Sequence, residues 1–274
     1  MWQKVKEKRA LWQAQLKNMA LHKGLLKGHT DYTRFIVLGR SRVGSNFLRG
    51  LLNSHNEITV FGELFQNYET IAWALPGYGQ AAATLSQYQQ NPARFLEEEV
   101  FHPFPPEVTA VGFKLFYYHA QDDSRQSLWP YLQQQTDIKI IHIKRRNILK
   151  THLSRQRAEQ TDRWFNLSGE REAQKPLTLD YQACLDDFVQ TRHWEAEFDQ
   201  FFAAHDLLEL FYENLARDSE AQMAQVQAFL GVAPQPLAPE TYKQSHKPLS
   251  EAIANYADLK AQFAGTEWAS FFEN

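Results

Sequence analysis

Residues Phe35–Leu52 read FIVLGRSRVGSNFLRGLL. The apolar run Phe35–Leu38 is too short for a helix, suits a buried strand, and stops at Gly39. From Asn46 to Asn53, Phe47, Leu48, Leu51 and Leu52 recur at helical spacing, so a helix follows the loop Gly39–Ser45. A strand running through a glycine-containing loop into a helix N-terminus gathers free backbone N–H groups and the positive helix end at one point. Such a loop cradles anionic oxygens. Gly39 and Gly44 permit the turn and close backbone approach. Ser45 and Asn46 add side-chain donors, and Arg40 and Arg42 add cations that pair with phosphate-like oxyanions.

Outward from this unit, Ile58–Phe61 reads as a second short strand ending at Gly62-Glu63. Ala110–Tyr117, Asp137–Ile143 and Leu207–Phe211 read as further strands. Ile148–Glu159, Tyr181–Ala204 and Ser219–Leu230 read as helices, the last closed by Gly231. Short apolar strands alternating with helices predict an α/β fold with a mostly parallel central sheet. Residues 64–108 mix helical signals with Pro76, Pro92, Pro103, Pro105 and Pro106. They are expected to form a helical insertion whose Trp73, Tyr78 and Phe104 shape specificity. Residues 160–177, with Trp164 and Phe165, read as a loop or lid. No repeat or linker divides the remainder, so residues 29–274 are read as one domain.

Hydrophobic residues make up 43% of the 274, enough for a sizeable core and too many for a disordered chain. A net charge of −3 disfavours a protein that coats nucleic acid. The single cysteine, Cys184, excludes an internal disulfide and any zinc site built on several thiolates. It fits a reducing compartment. No run approaches the ~18 apolar residues of a membrane span, and no secretory leader is visible at the N-terminus. A cytoplasmic protein is expected. Residues 1–28 place Trp2, Val5, Trp12, Leu16, Met19 and Leu26 on one helical face, and seven Lys and Arg stand against Glu7 alone. This basic amphipathic helix either docks on the domain or lies on an anionic membrane surface, peripheral to its inner face.

A second segment, KIIHIKRRNILKTHLSRQRA at Lys139–Ala158, holds seven Lys and Arg and no acidic residue. It lies where a strand ends and a helix begins, the ligand-binding edge of a parallel sheet. There Arg146, and Ser154 two helical turns later, are placed to meet a second phosphate. A magnesium-dependent P-loop fits poorly. Gly39 and Gly44 match its spacing, but Ser45 stands where lysine is required and Asn46 where the metal-holding hydroxyl should be. The strand over 138–143 runs into Lys144-Arg145-Arg146, with no metal-holding aspartate. A nucleotide kinase or related NTPase is thus the alternative that the spacing disfavours.

Together the two segments resemble sulfotransferases that use 3′-phosphoadenosine 5′-phosphosulfate (PAPS). Arg40, Ser41, Arg42, Val43, Gly44, Ser45 and Asn46 resemble that family's 5′-phosphosulfate loop, with Val43 where serine and Asn46 where threonine are usual. Arg146 and Ser154 resemble its 3′-phosphate motif. LFYENLARD at Leu210–Asp218 is similar to its Tyr-Glu-Asp-Leu segment, which sets Tyr212 toward the adenine. With VFGELF at Val60–Phe65, the pattern looks most like bacterial members acting on carbohydrates or lipids.

The resemblance implies a P-loop-like three-layer fold, PAPS as co-substrate, adenosine 3′,5′-bisphosphate as product, and no metal requirement. It implies a hydroxyl-bearing acceptor, a glycan or glycolipid, and no nucleic-acid partner. Arg42 and Lys114 are expected to stabilise the leaving charge and Glu63 to act as base, because Glu63 follows a glycine at the end of a strand beside the loop strand. The eukaryotic cytosolic type carries its catalytic histidine two residues after a lysine; here Phe116 takes that offset from Lys114. His119 and Trp164 are expected on the acceptor side, and His55 is a lesser candidate. A non-catalytic anion- or glycan-binding relative is the other alternative.

Overall fold

The computed structural model describes residues 16, 20–21, 24–161, 175–238 and 247–273. Five strands form one sheet: β1 (Thr33–Gly39), β2 (Ile58–Val60), β3 (Ala110–Phe116), β4 (Lys139–Lys144) and β5 (Leu207–Phe211). Their order is β2-β3-β1-β4-β5, and every neighbouring pair is parallel. The chain lays β2 and β3 on one side of β1, then crosses to lay β4 and β5 on the other. That reversal makes a switch point between β1 and β4, where open parallel sheets bind ligands at the strands' carboxyl ends.

The strands read as near-continuous apolar runs because both sheet faces are covered. Along β1 the two-residue period sends Ile36 and Leu38 to one face and Phe35 and Val37 to the other. Phe35 and Val37 meet Leu48, Leu51 and Leu52 of helix α1 (Ser45–Asn53). Ile36 and Leu38 share a core with Phe61, Phe95 and Phe113. The middle helices are α2 (Ala82–Gln90), α3 (Pro92–Phe95), α4 (Leu128–Gln134), α5 (Ile148–Thr161) and α6 (Tyr181–Phe201). Beyond β5 stand α7 (Tyr212–Arg217) and α8 (Ser219–Leu230), which ends on Gly231 with φ 76°. A third apolar cluster packs Leu149 and Leu153 of α5 against Phe188 of α6 and Phe263 and Phe271 near the C-terminus. Fully burying one such side chain stabilises by roughly 1.5–3 kcal/mol. Cys184 lies in this cluster, and burial pushes its thiol up to about 12, so it is an inert packing group.

Residues 64–108 hold α2, α3 and a π-turn at Leu96–Val100, joined by loops. Trp73, Tyr78 and Phe104 pack around Phe61, with the Trp73 and Tyr78 rings stacked at 4.9 Å, so Trp73 and Phe104 belong to the core and Tyr78 packs against it. The stretch is integral because it covers one face of the sheet, which would otherwise expose Phe113 and Leu115. At the N-terminus the chain turns at Gly24, φ 66°, whose N–H donates to the Leu21 carbonyl at 3.0 Å. The helix expected over 1–28 therefore stops short of Gly24, and Leu26 is 45% exposed. Its earlier basic residues lie outside the described residues. Among the described residues no helix is long and apolar enough to cross a membrane.

Candidate active site

The loop after β1 curls through two left-handed residues, Arg42 at φ 69° and Gly44 at φ 96°. A left-handed arginine is uncommon, and such conformations persist where surrounding structure enforces them. At Gly44 the reason for glycine is also steric: a Cβ there would lie 2.3 Å from Cδ2 of Tyr212. Gly44 is the N-cap of α1; among the described residues no side chain caps it, and no acidic residue occupies the first turn. That terminus suits an anion. Val43 buries its side chain in the core, so only its backbone is available to a ligand.

Glu63 reaches the same place from β2. A Cβ on Gly62 would fall 2.3 Å from the Ala72 carbonyl oxygen, so the glycine lets two chain segments cross. The Phe61 N–H donates to the Gly112 carbonyl at 2.8 Å and the Lys114 N–H to the Gly62 carbonyl at 3.1 Å. This continued pairing sets Glu63 beside Lys114. Lys114 Nζ donates to Glu63 Oε1 at 2.7 Å and to Asn46 Oδ1 at 2.6 Å. The lysine is buried, and burial lowers its pKa against the opposing pull of Glu63. A buried ammonium is tolerated only with such partners. It ties the candidate base to the first turn of α1.

Arg42 Nε donates to Ser154 Oγ at 2.9 Å, and the Arg42 carbonyl accepts from Arg145 Nη1 at 3.1 Å. Burial, with Arg145 nearby, lowers the Arg42 pKa to about 10, which leaves it charged at neutral pH. Arg145 also lies over the Tyr212 ring at 4.7 Å. Arg146 turns instead to α7: Nη1 donates to Asn214 Oδ1 at 3.0 Å and the guanidinium covers Phe211 at 4.0 Å. Arg146 and Ser154 thus have separate partners.

A cavity of about 620 Å³ opens over the loop. Arg40, Ser41, Arg42, Ser45 and Asn46 line one side with Glu63; Gln66, Phe116, Tyr118, His119, Arg155 and Glu159 line the rest. Lys114, Arg146, Ser154 and Tyr212 stand outside this lining. Arg40 is held from behind by α6, through Asp187 at 2.5 Å, Thr191 and the Trp194 ring. Arg155 shares Asp187, and its Nη1 has no hydrogen-bond partner among the described residues. Burial and Arg40 lower the Arg155 pKa to about 10. Two guanidiniums on one carboxylate leave this wall positive.

Of the sequence-predicted residues, the cavity gathers Arg40, Ser41, Arg42, Ser45, Asn46, Glu63 and His119. Trp164 lies outside the described residues. His55 is remote in role: its ring bonds the Ala233 carbonyl at 2.8 Å and the Glu57 N–H at 3.0 Å. Arg155, Tyr118 and Gln66 were missed, as was Arg145, the residue of the basic run that does contact the loop. The rest of that run is largely spent on structure. Lys144 pairs with Asp199 and Glu209 at 2.6 Å each, Lys139 donates to the Phe229 carbonyl, and Arg157 donates to the Ala252 carbonyl.

A family model described as the sulfotransferase family matches residues 34–236. Nodulation protein H of Rhizobium meliloti (strain 1021) is 29% identical over 246 residues, covering 87% of this chain and 94% of that protein. Nodulation protein H of Rhizobium tropici is 28% identical over 244 residues, covering 87% and 92%. A crystal structure of a sulfotransferase from Alicyclobacillus acidocaldarius aligns with a TM-score of 0.48 at 16% identity, covering 86% of this chain and 94% of that one. The match spans the strand–loop–helix unit, Glu63, Lys114, the basic segment and Tyr212, and the chain belongs to the sulfotransferase family.

Proposed function

We propose that this chain transfers the sulfuryl group of PAPS to a hydroxyl of a glycan or glycolipid, with Glu63 as general base and no metal. The observation that carries the reading is Lys114, which joins Asn46 of the loop helix to Glu63 at 2.6 and 2.7 Å beside Arg42. One buried cation thereby couples the anion loop to a carboxylate.

The residues fit the nucleotide. The uncapped start of α1, the glycine cradle at Gly44 and Arg42 suit a phosphosulfate. The cavity falls within the roughly 300–1,000 Å³ usual for small-molecule sites. In this reading the 5′ end is held by Arg40 to Asn46, the 3′-phosphate by Arg146 and Ser154, and the adenine by Tyr212 beside Arg145. PAPS supplies an activated sulfuryl group whose bridging S–O bond breaks as the S–O bond to the acceptor forms, leaving adenosine 3′,5′-bisphosphate. Glu63 takes the acceptor's proton. Arg42 and Lys114 stabilise the charge that develops on the departing side. Lys114 also orients Glu63, so the base needs no rearrangement.

On the acceptor side, Gln66, Arg155 and Glu159 offer planar polar groups next to Tyr118, which is 41% exposed. Fixed donors and acceptors beside an aromatic ring suit a hydroxyl-rich molecule. Trp164 is a further acceptor-side residue in this reading. Residues 29–274 work as one domain. Glu63→Gln tests the base: turnover with PAPS falls by ~10²-fold or more, while bisphosphate affinity stays unchanged. Near-normal turnover would remove Glu63 from the role.

A further inference from the structure

His119 closes a turn after β3. Its Nδ1 accepts the backbone N–H of Phe116 at 3.2 Å, its N–H donates to the Phe116 carbonyl at 2.9 Å, and its carbonyl accepts Trp129 Nε1–H at 3.1 Å. The ring packs on Phe116 at 4.9 Å and edge-on to Tyr118 at 5.3 Å. A backbone N–H can only donate, so Nδ1 is the unprotonated nitrogen and the neutral ring carries its proton on Nε2. His119 is 3% exposed, lines the cavity with Glu63 and Arg42, and its Nε2 has no partner among the described residues. The charged groups acting on it are Glu63, Lys114 and Arg125. Burial, helped by Lys114 and Arg125 and opposed by Glu63, lowers its pKa to about 4.

A buried N–H with no acceptor costs free energy unless a ligand satisfies it. A neutral imidazole whose other nitrogen is already engaged can only donate, so it cannot take the acceptor's proton. Sulfuryl oxygens carry no proton and only accept. We propose that His119 is a donor that binds an oxygen of the transferring sulfuryl group through Nε2–H, and not a base. This rests on PAPS being the co-substrate.

The test compares affinity for PAPS and for adenosine 3′,5′-bisphosphate, which lacks only the sulfuryl group, in the full chain. His119→Phe is expected to weaken PAPS by about 10-fold or more relative to the bisphosphate, the size of a hydrogen bond to a charged group. His119→Gln, whose amide N–H stands in for Nε2–H, is expected to keep the wild-type ratio. A folding defect would weaken both ligands together and leave the ratio unmoved. If His119→Phe keeps the ratio and also binds the bisphosphate with wild-type affinity, the donor role is overturned and the co-substrate reading stands. If wild type binds neither, both fall. Nitrogen NMR of the histidines in the full chain gives a second check. Nε2 should stay protonated and Nδ1 unprotonated from pH 5 to 8; a ring that titrates near 6.5 would overturn the proposal.

Discussion

Gly44→Ala is the perturbation whose size follows most directly from the geometry. At φ 96° an alanine pays about 1–2 kcal/mol for the left-handed backbone. Its Cβ would also meet Tyr212 at 2.3 Å from Cδ2, 2.9 Å from Cε2 and 3.2 Å from Cγ. Contact with Cγ means that a simple ring flip does not clear it, and Arg145 covers the ring at 4.7 Å. Overpacking of this kind costs about 1–3 kcal/mol. The total is about 2–5 kcal/mol, and at about 2 °C per kcal/mol for a chain of this size the midpoint falls by about 4–10 °C. Tyr212→Ala removes the obstacle, so in that background Gly44→Ala should cost only the backbone part. A double-mutant cycle by thermal unfolding should therefore show about 1–3 kcal/mol of coupling. Equal costs of Gly44→Ala in the two backgrounds would refute the steric account of the loop.

Three more outcomes are expected. Arg146→Ala should weaken adenosine 3′,5′-bisphosphate by about 1.5–3 kcal/mol in calorimetry and leave adenosine 5′-phosphosulfate, which lacks the 3′-phosphate, unaffected; equal bisphosphate affinity would remove Arg146 from the nucleotide. His119, with a folded pKa near 4 against 6.5 unfolded, binds its proton later in the folded state, so its contribution is present above pH 6.5 and is lost as pH falls to 4. Over that window wild type should lose about 3 kcal/mol more than His119→Gln, read from denaturant midpoints; parallel pH profiles would contradict the buried neutral ring. If the basic N-terminal segment lies on anionic lipid, the full chain should co-sediment with anionic vesicles at low salt and release as salt rises, and deletion of residues 1–28 should abolish this; no vesicle binding by the full chain would leave the segment as a structural addition to the domain.

The sheet was legible because parallel strands buried on both faces leave uninterrupted apolar runs, and the loop because glycine, arginine and a helix start fall in one short stretch. The placement of Glu63 beside the loop was legible from Gly62 and the end of β2. What sequence could not give is which of two adjacent cations faces the loop. Arg145 and Arg146 look alike in a run, yet beyond β4 Arg145 takes the loop while Arg146 takes Asn214. Arg155 was hidden because Asp187, 32 residues on, is what positions it. Trp73 and Tyr78 pack on Phe61, just beyond β2, a contact that their own stretch of sequence does not show. In each case a tertiary contact, invisible to periodicity, decided the orientation. Pro and Gly near residues 76–79 signalled loops correctly but said nothing of burial.

In the proposed function the loop and the arginines around it hold a 3′-phosphorylated adenine nucleotide without metal. Calorimetric titration of the full chain with adenosine 3′,5′-bisphosphate in the presence of chelator, set against ATP with magnesium, decides this. Saturable binding of the bisphosphate is expected, weakened at least ~10-fold by Arg42→Ala, as for loss of a charged hydrogen-bond donor. Binding of ATP with magnesium alone, with none of the bisphosphate, would contradict it.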